Sequence, residues 1–155
     1  MLNILIIGNG QCGNRILDSI NRHALGGGKS CGRLARFYSR QRFKSRVETL
    51  ALNTAVNDLK EMKFTKARDR IHIEHLHGVG ANRNIGKQVF EDKKERIMRQ
   101  IEERGSFDIA FLITSASGGT GSSFTPLLVK EMKNRYNYPV YCLVVLPFRE
   151  EGTLY

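Results

Sequence analysis

Three stretches of this chain, residues 2–7, 108–114 and 139–146, are apolar at nearly every position instead of at every second one. A strand with one wet face alternates, whereas a strand covered on both faces does not. Covered strands separated by helical segments restrict the fold to a parallel sheet wrapped by helices. The segments between them have helical spacing. Residues 13–24 place Ile16, Leu17 and Ile20 on one face, and a short helix is expected around 55–62. Residues 84–104 carry the stripe Val89, Phe90, Ile97 and Ile101, with Lys and Glu on the other face. Residues 125–135 form the last expected helix, with Pro126 in its first turn. Residues 49–53 read as a short second strand, and 70–76 as an edge or half-exposed one. The expected class is α/β: a three-layer, Rossmann-like parallel sheet with helices on both faces, in one domain of 155 residues.

In such sheets ligands gather at the carboxyl ends of the strands. The glycine loops of this chain all fall there and are expected to converge on one rim. The most telling is Ser115-Ala116-Ser117-Gly118-Gly119-Thr120-Gly121-Ser122-Ser123, between a strand and a helix expected to start near Phe124. Glycines let a backbone approach a phosphate, and the free N–H groups of a turn and a helix start point at it. Thr120, Ser122 and Ser123 add hydroxyls. Taken alone, the loop is as readily a tight turn without a ligand.

Gly8-x-Gly10-x-x-Gly13 matches a dinucleotide fingerprint. That fold, however, wants an acid after the second strand to hold a ribose hydroxyl, and here stand Asn53, Thr54 and Ala55. His77-Gly78-Val79-Gly80-Ala81-Asn82 adds a further glycine loop. One pyrophosphate needs one cradle, so three loops on a rim suit a triphosphate better. No G-x-x-x-x-G-K-[ST] lysine loop is present, which leaves backbone N–H and hydroxyl groups to hold the phosphates.

Gly10-Gln11-Cys12-Gly13-Asn14, Asn53-Thr54, Gly78-Val79-Gly80-Ala81-Asn82 and Ser117-Gly118-Gly119-Thr120-Gly121-Ser122-Ser123 occur in the order of the nucleotide loops of the tubulin/FtsZ family. The first resembles tubulin and the third FtsZ. The Gly-Gly-Thr-Gly-Ser core resembles the tubulin signature, with Ser117 and Ser123 where its fullest version has glycine. Pro147-Phe148-Arg149-Glu150-Glu151-Gly152 is similar to the Pro-Phe-x-x-Glu-Gly of FtsZ. With these mixed signatures the chain also resembles phage- and plasmid-borne relatives of the TubZ kind. The resemblance covers nearly the whole chain except residues 26–46.

The resemblance implies a cytoplasmic, GTP- or GDP-binding protein that polymerises head to tail and hydrolyses GTP at subunit contacts, in cell division or DNA segregation. It places Gln11 and Cys12 by the phosphates and the base-side floor, with Gly10, Gly13, Asn14 and Asn53 in the same loops. Gly80, Ala81 and Asn82 approach the γ-phosphate. Ser117, Gly118, Gly119, Thr120, Gly121 and Ser122 wrap the β- and γ-phosphates, and Glu151 accepts from the ribose. Mg²⁺ is expected on phosphate oxygens and water. The chain stops at Tyr155, before the family's central helix and the acidic loop that activates water. The expectation is therefore a GTP-binding domain incomplete at its C-terminus, with no catalytic residue of its own and slow turnover. A second reading is a non-polymerising nucleotide- or nucleic-acid-binding module that lost the hydrolytic half.

The formal charge of +10 is local in origin: between His23 and Val47 stand Lys29, Arg33, Arg36, Arg40, Arg42, Lys44 and Arg46, with no acid. This insertion, residues 26–46, is a solvated loop or a contact for DNA or an acidic partner, with Phe37, Tyr38 and Phe43 able to stack on bases. No apolar run reaches the ~18–20 residues of a membrane span. Three cysteines without a paired spacing fit a reducing compartment. His72, His75 and His77 lie close in sequence, but strand alternation puts His72 on the face opposite the other two, so no metal site is expected. Cys12 reads as a packing and nucleotide-contact residue, and Arg83 as a phosphate-field or surface charge.

Overall fold

A computed structural model describes residues 2–23, 45–74 and 82–148. Five strands form one sheet in the order β3-β2-β1-β4-β5, every neighbouring pair parallel. They are β1 (Leu2–Asn9), β2 (Ser45–Asn53), β3 (Arg70–His72), β4 (Ile109–Ser115) and β5 (Val140–Val145). The helices are α1 (Gly10–His23), α2 (Val56–Glu61), α3 (Arg83–Glu102) and α4 (Gly119–Arg135), with a 3-10 turn at Ala67–Asp69. Among the described residues no helix is long and apolar enough to cross a membrane.

The continuous apolar runs are explained by a core on each face. Leu5, Ile7, Leu50, Leu52, Ala110 and Leu112 pack against α3 and α4. Leu17, Ala51, Leu59 and Met62, with Ile6, form the second cluster under α1 and α2. Adjacent residues such as Ile6 and Ile7 thus serve opposite cores, as two-sided cover requires. The stripe expected on α3 is buried as a set, joined by Met98. Phe90 and Phe124 meet edge to face at 5.4 Å and lock α3 to α4. At the far end of the pair Arg135 gathers Glu131 at 2.7 Å, Glu102 at 3.8 Å and Glu95.

The structure departs from the sequence expectations at element ends. β2 starts at Ser45, not 49, because Leu2 to Leu5 of β1 pair with Ser45 to Glu48 whatever their polarity. Arg46, counted in the basic insertion, is bonded to Glu48 at 3.2 Å and to the Arg104 carbonyl at 2.7 Å. The other residues of that insertion, 26–44, lie outside the described residues, as do His75 and His77. β3 ends at His72, with one further bond from Ile73 N to Asn53 O. α1 starts at Gly10 and α4 at Gly119, three and six residues before the expected starts. Pro126 consequently lies inside α4, not in its first turn. β5 is the largest departure: expected to be covered, it exposes Tyr141, Leu143, Val144 and Val145, because it forms the sheet edge among the described strands.

One carboxylate joins α1 to the segment after α2. Asp18 accepts from the N–H groups of Lys63 (2.9 Å), Phe64 (2.9 Å) and Thr65 (2.7 Å) and from the Thr65 hydroxyl (2.9 Å). Burial pushes its pKa up, but the four hydrogen bonds outweigh burial and hold it below the ordinary value. A carboxyl depressed in the folded state stabilises fully above the ordinary carboxylate pKa of about 3.9 and loses that contribution as pH falls through the folded value. Asp18→Ala should therefore lower stability by about 1–3 kcal/mol at pH 7. In urea titrations the gap between the variant and the parent chain should close as the pH is taken toward 3 and below.

Candidate functional site

Because every strand is parallel, Asn9, Asn53, His72 and Ser115 end on one rim, and hydrogen bonds stitch them together. Thr54 Oγ1 and Thr120 Oγ1 are hydrogen-bonded at 2.7 Å, joining the end of β2 to the head of α4. Asn9 Nδ2 donates to Thr125 Oγ1 at 2.8 Å. The amides of Gln11 and Asn53 both donate to Asp58, at 3.1 and 2.8 Å. His72 Nε2 lies 3.1 Å from the Thr54 carbonyl. Ser115 and Ser117 pair through their hydroxyls at 2.9 Å.

The expected site residues divide by what they touch. Gly10, Gln11, Asn53, Thr120 and Gly121 belong to this connected cluster. Gly10 has φ 74°, in the region that favours glycine, and a Cβ on it would sit 2.9 Å from the Gly121 nitrogen. Gly13 and Asn14 are buried beneath the rim, Asn14 donating to the Leu52 carbonyl at 3.2 Å. Cys12 is half-buried with a free thiol. Asn82 caps α3, its side chain accepting from the N–H groups of Asn84 at 3.0 Å and Ile85 at 3.3 Å. Ser117, Gly119 and Ser122 are half-buried and Gly118 is exposed. Gly80, Ala81 and Glu151 lie outside the described residues.

The loop of residues 117–123 is mostly helix. Ser122 N closes the first turn on the Gly118 carbonyl at 3.2 Å. Ser123 Oγ donates back to the Gly119 carbonyl at 2.6 Å, so this hydroxyl, expected to be free for a ligand, is used inside α4. The Gly-Thr-Gly run is a poor helix former; the packing of Gly121 against Thr114, Asn9 and Ser115 holds it helical. The result is a helix head with no side-chain cap and no acid in its first turn. Its leading N–H groups are left for an outside acceptor.

One hollow lies beside this head and another between α1 and α2, and their charges differ. The one between α1 and α2, about 130 Å³, is lined by Gln11, Arg15, Asp18, Asp58, Glu61 and Met62. The other, about 230 Å³, lies where α3 and α4 begin, lined by Ser115, Ala116, Gly121, Ser122 and Thr125 with Arg83 as the charged group among the described residues. A larger hollow of about 400 Å³, beside Phe107, Tyr136 and Tyr138, is at the opposite end of the sheet, away from the rim. There, burial and the Glu102 carboxylate push the Tyr136 phenol up to about 12.

Sequence reasoning missed Asp58, which orients both amides, and Asn9, whose buried Oδ1 has no hydrogen-bond partner among the described residues. The sign of Asp58 was an acid in the first turn of a short helix directly after Asn53-Thr54. Asn9 carried no sign beyond standing between two glycines.

A family model described as "Tubulin/FtsZ family, GTPase domain" matches residues 3–155. The tubulin-like protein CetZ of Methanothrix thermoacetophila is 62% identical over 156 residues, spanning 100% of this chain and 41% of the relative. Among solved structures, CetZ from Methanosaeta thermophila is similar with TM-score 0.85 and 57% identity, over 99% of this chain and 39% of that one. CetZ2 from Haloferax volcanii, solved as a GTPγS-bound protofilament, is similar with TM-score 0.73 and 29% identity, over 99% of this chain and 42% of that one. The chain spans about two fifths of the length of these relatives.

The glycines at the rim serve two purposes that substitution separates. A Cβ on Gly13 would lie 2.1 Å from the Ile113 carbonyl oxygen, and one on Gly121 would lie 2.5 Å from Thr114 Oγ1 and 3.1 Å from the Asn9 carbonyl oxygen. A Cβ on Gly118 would meet nothing within 4 Å among the described residues. Gly13→Ala should cost about 3 kcal/mol, since the obstructing atoms are backbone. Gly118→Ala should cost no more than the ~1 kcal/mol of a poorer N-cap. Thermal melts of both variants against the parent chain test this ordering.

Proposed function

The chain belongs to the tubulin/FtsZ family, and on that premise we propose that its rim binds the phosphates of GTP or GDP. The protein of which these loops are part assembles head to tail into filaments and hydrolyses GTP where subunits meet. The observation that carries the reading is the open head of α4: uncapped, without acid, and fronted by Gly118 with space before it. Oriented N–H groups at a helix start form an anion site when the space before them is free. The GTPγS-bound protofilament of CetZ2 supports both the nucleotide and the assembly.

In this reading Gly118, Gly119 and Thr120 present N–H groups to the β- and γ-phosphates, with Ser117 and Ser122 at the sides. Gly10, Gln11 and Cys12 lie under the inner phosphates, at the other flank of the α4 head. Gly80, Ala81 and Asn82 face the terminal phosphate, and Glu151 accepts from the ribose. Gly13, Asn14 and Asn53 act from beneath: Asn14 ties α1 to β2, and Asn53 shares Asp58 with Gln11. Asp58 accepts from both amides, so it sets which face of Gln11 meets the ligand.

Mg²⁺ suits this rim only as a partner of the phosphates. Among the described residues no group of three His, Cys, Asp or Glu side chains converges. The donors at hand are hydroxyls, and Mg²⁺ keeps its waters and binds phosphate oxygens readily. Hydrolysis requires an oriented water that gives up its proton as it attacks the terminal phosphoryl group. In this reading the neighbouring subunit supplies the group that takes it.

Calorimetry should show GDP and GTPγS binding and ATP not binding. Gly118→Ala should weaken both guanine nucleotides by about tenfold, a loss of ~1.4 kcal/mol, while leaving the fold intact. Equal affinity for ATP, or full affinity in the variant, would overturn the reading.

A further inference from the structure

Away from the rim, the hollow of about 400 Å³ has the make-up of a binding pocket. Small-molecule pockets span ~300–1,000 Å³, with apolar and aromatic walls and a few polar groups. The turn from α3 to β4 makes one wall. Gly105, at φ 98°, takes the left-handed conformation that lets the chain leave α3 and bring Phe107 to the hollow. The segment from α4 to β5 makes the other wall. Its Tyr136 and Tyr138 stack at 5.1 Å with their planes 9° apart, and Phe107 meets Tyr138 edge to face at 6.4 Å. Rings held by one another in this way have little freedom left to lose when a ligand meets them.

The charge at its mouth favours a cation. α3 ends at Glu102 and α4 at Arg135, both on the lining, and helix carboxyl ends carry roughly half a negative charge each. At the end of α3, Arg104 and Arg46 answer the carbonyls of Gln100 and Arg104. Glu102 accepts from the Tyr136 hydroxyl at 3.2 Å, yet its side chain stays 51% exposed. Arg135 also lines the hollow, but its guanidinium is engaged by Glu95, Glu131 and Glu102. Burial is the first cause of the raised Tyr136 phenol and the Glu102 carboxylate the second. Burial opposes a charge of either sign, whereas the carboxylate opposes an anion and favours a cation.

We propose that this hollow binds a small organic cation, an amidinium, guanidinium or alkylammonium group on a flat or apolar body. The rings of Phe107, Tyr136 and Tyr138 take the body, and ring faces also attract a cation. Glu102 takes the charge at the mouth. A neutral molecule of the same shape keeps the ring contacts and forgoes the charge, while an anion meets Glu102 with like sign. The site lies at the opposite end of the sheet from the nucleotide rim and stands independently of what binds there.

Three probes of one shape test the assignment: benzamidine, a cation; benzamide, neutral; and benzoate, an anion. In amide NMR titrations of the full chain, benzamidine should shift Ser106, Phe107, Asn137 and Tyr138 saturably. Benzamide should bind at least about threefold more weakly, and benzoate should leave these signals in place. Glu102→Gln removes the charge from an exposed side chain, so the melting temperature should hold. It should weaken benzamidine about three- to fivefold, ~0.7–1 kcal/mol, and leave benzamide unchanged. Tyr136→Leu removes a ring and should weaken both probes. Absence of benzamidine binding, benzamide or benzoate binding as tightly, or full benzamidine affinity in Glu102→Gln would overturn the assignment. So would shifts centred on Gln11 and Gly118 that GDP displaces, since they put the cation at the rim.

Discussion

The carbonyl of Ile113 stands where a side chain on residue 13 would begin, 2.1 Å from the nearest possible Cβ. Gly121 is confined in the same way by Thr114, Asn9 and Ser115, and Gly10 by Gly121 itself. At these points backbone packs on backbone, which brings the heads of α1 and α4 down onto the carboxyl ends of β1 and β4. Everything else at the rim follows from that approach. The Thr54–Thr120 hydroxyl pair at 2.7 Å closes only because α4 sits this low. The bond from Asn9 to Thr125 has the same origin. The site is thus a by-product of packing density before it is a collection of ligand-binding groups.

This separates two meanings of a glycine-rich loop. Gly10, Gly13 and Gly121 are small because a neighbouring element occupies the room; Gly118 is small although no atom of the described residues lies within 4 Å of where its Cβ would stand. A motif written as a string of glycines merges the two. Only the second kind says anything about a ligand.

The fold class was within reach of the sequence because Leu5, Ile6 and Ile7 are apolar in succession, and only two-sided burial explains that. The stripe of α3 was equally readable, since Val89, Phe90, Ile97 and Ile101 repeat at helical spacing. What the sequence hid were positions where tertiary contact overrides local preference. Ser45 to Glu48 belong to a strand because β1 pairs with them, not because they favour extension. Gly119 to Ser123 are helical although two glycines argue otherwise, since packing and the Ser123 hydroxyl hold the turn. At the site, the glycine loops and Asn53 could be picked out by residue type. Asp58 and Asn9 could not, because Asp58 matters through Gln11, distant in sequence, and Asn9 through an amide oxygen without a partner among the described residues.

β5 shows what two-sided apolar character means when a strand lies at an edge. Its sequence, Val140 to Val145, contains no charge and no proline, and five of its six residues are exposed. Unpaired N–H and C=O groups along such an edge form a template for any extended chain of similar composition. Natural edges are usually blunted by lysines, bulges or brevity, and this strand has none of the charge that would repel a second copy. Any element laid along β5 would therefore guard against fibrous self-association as well as stabilise the strand.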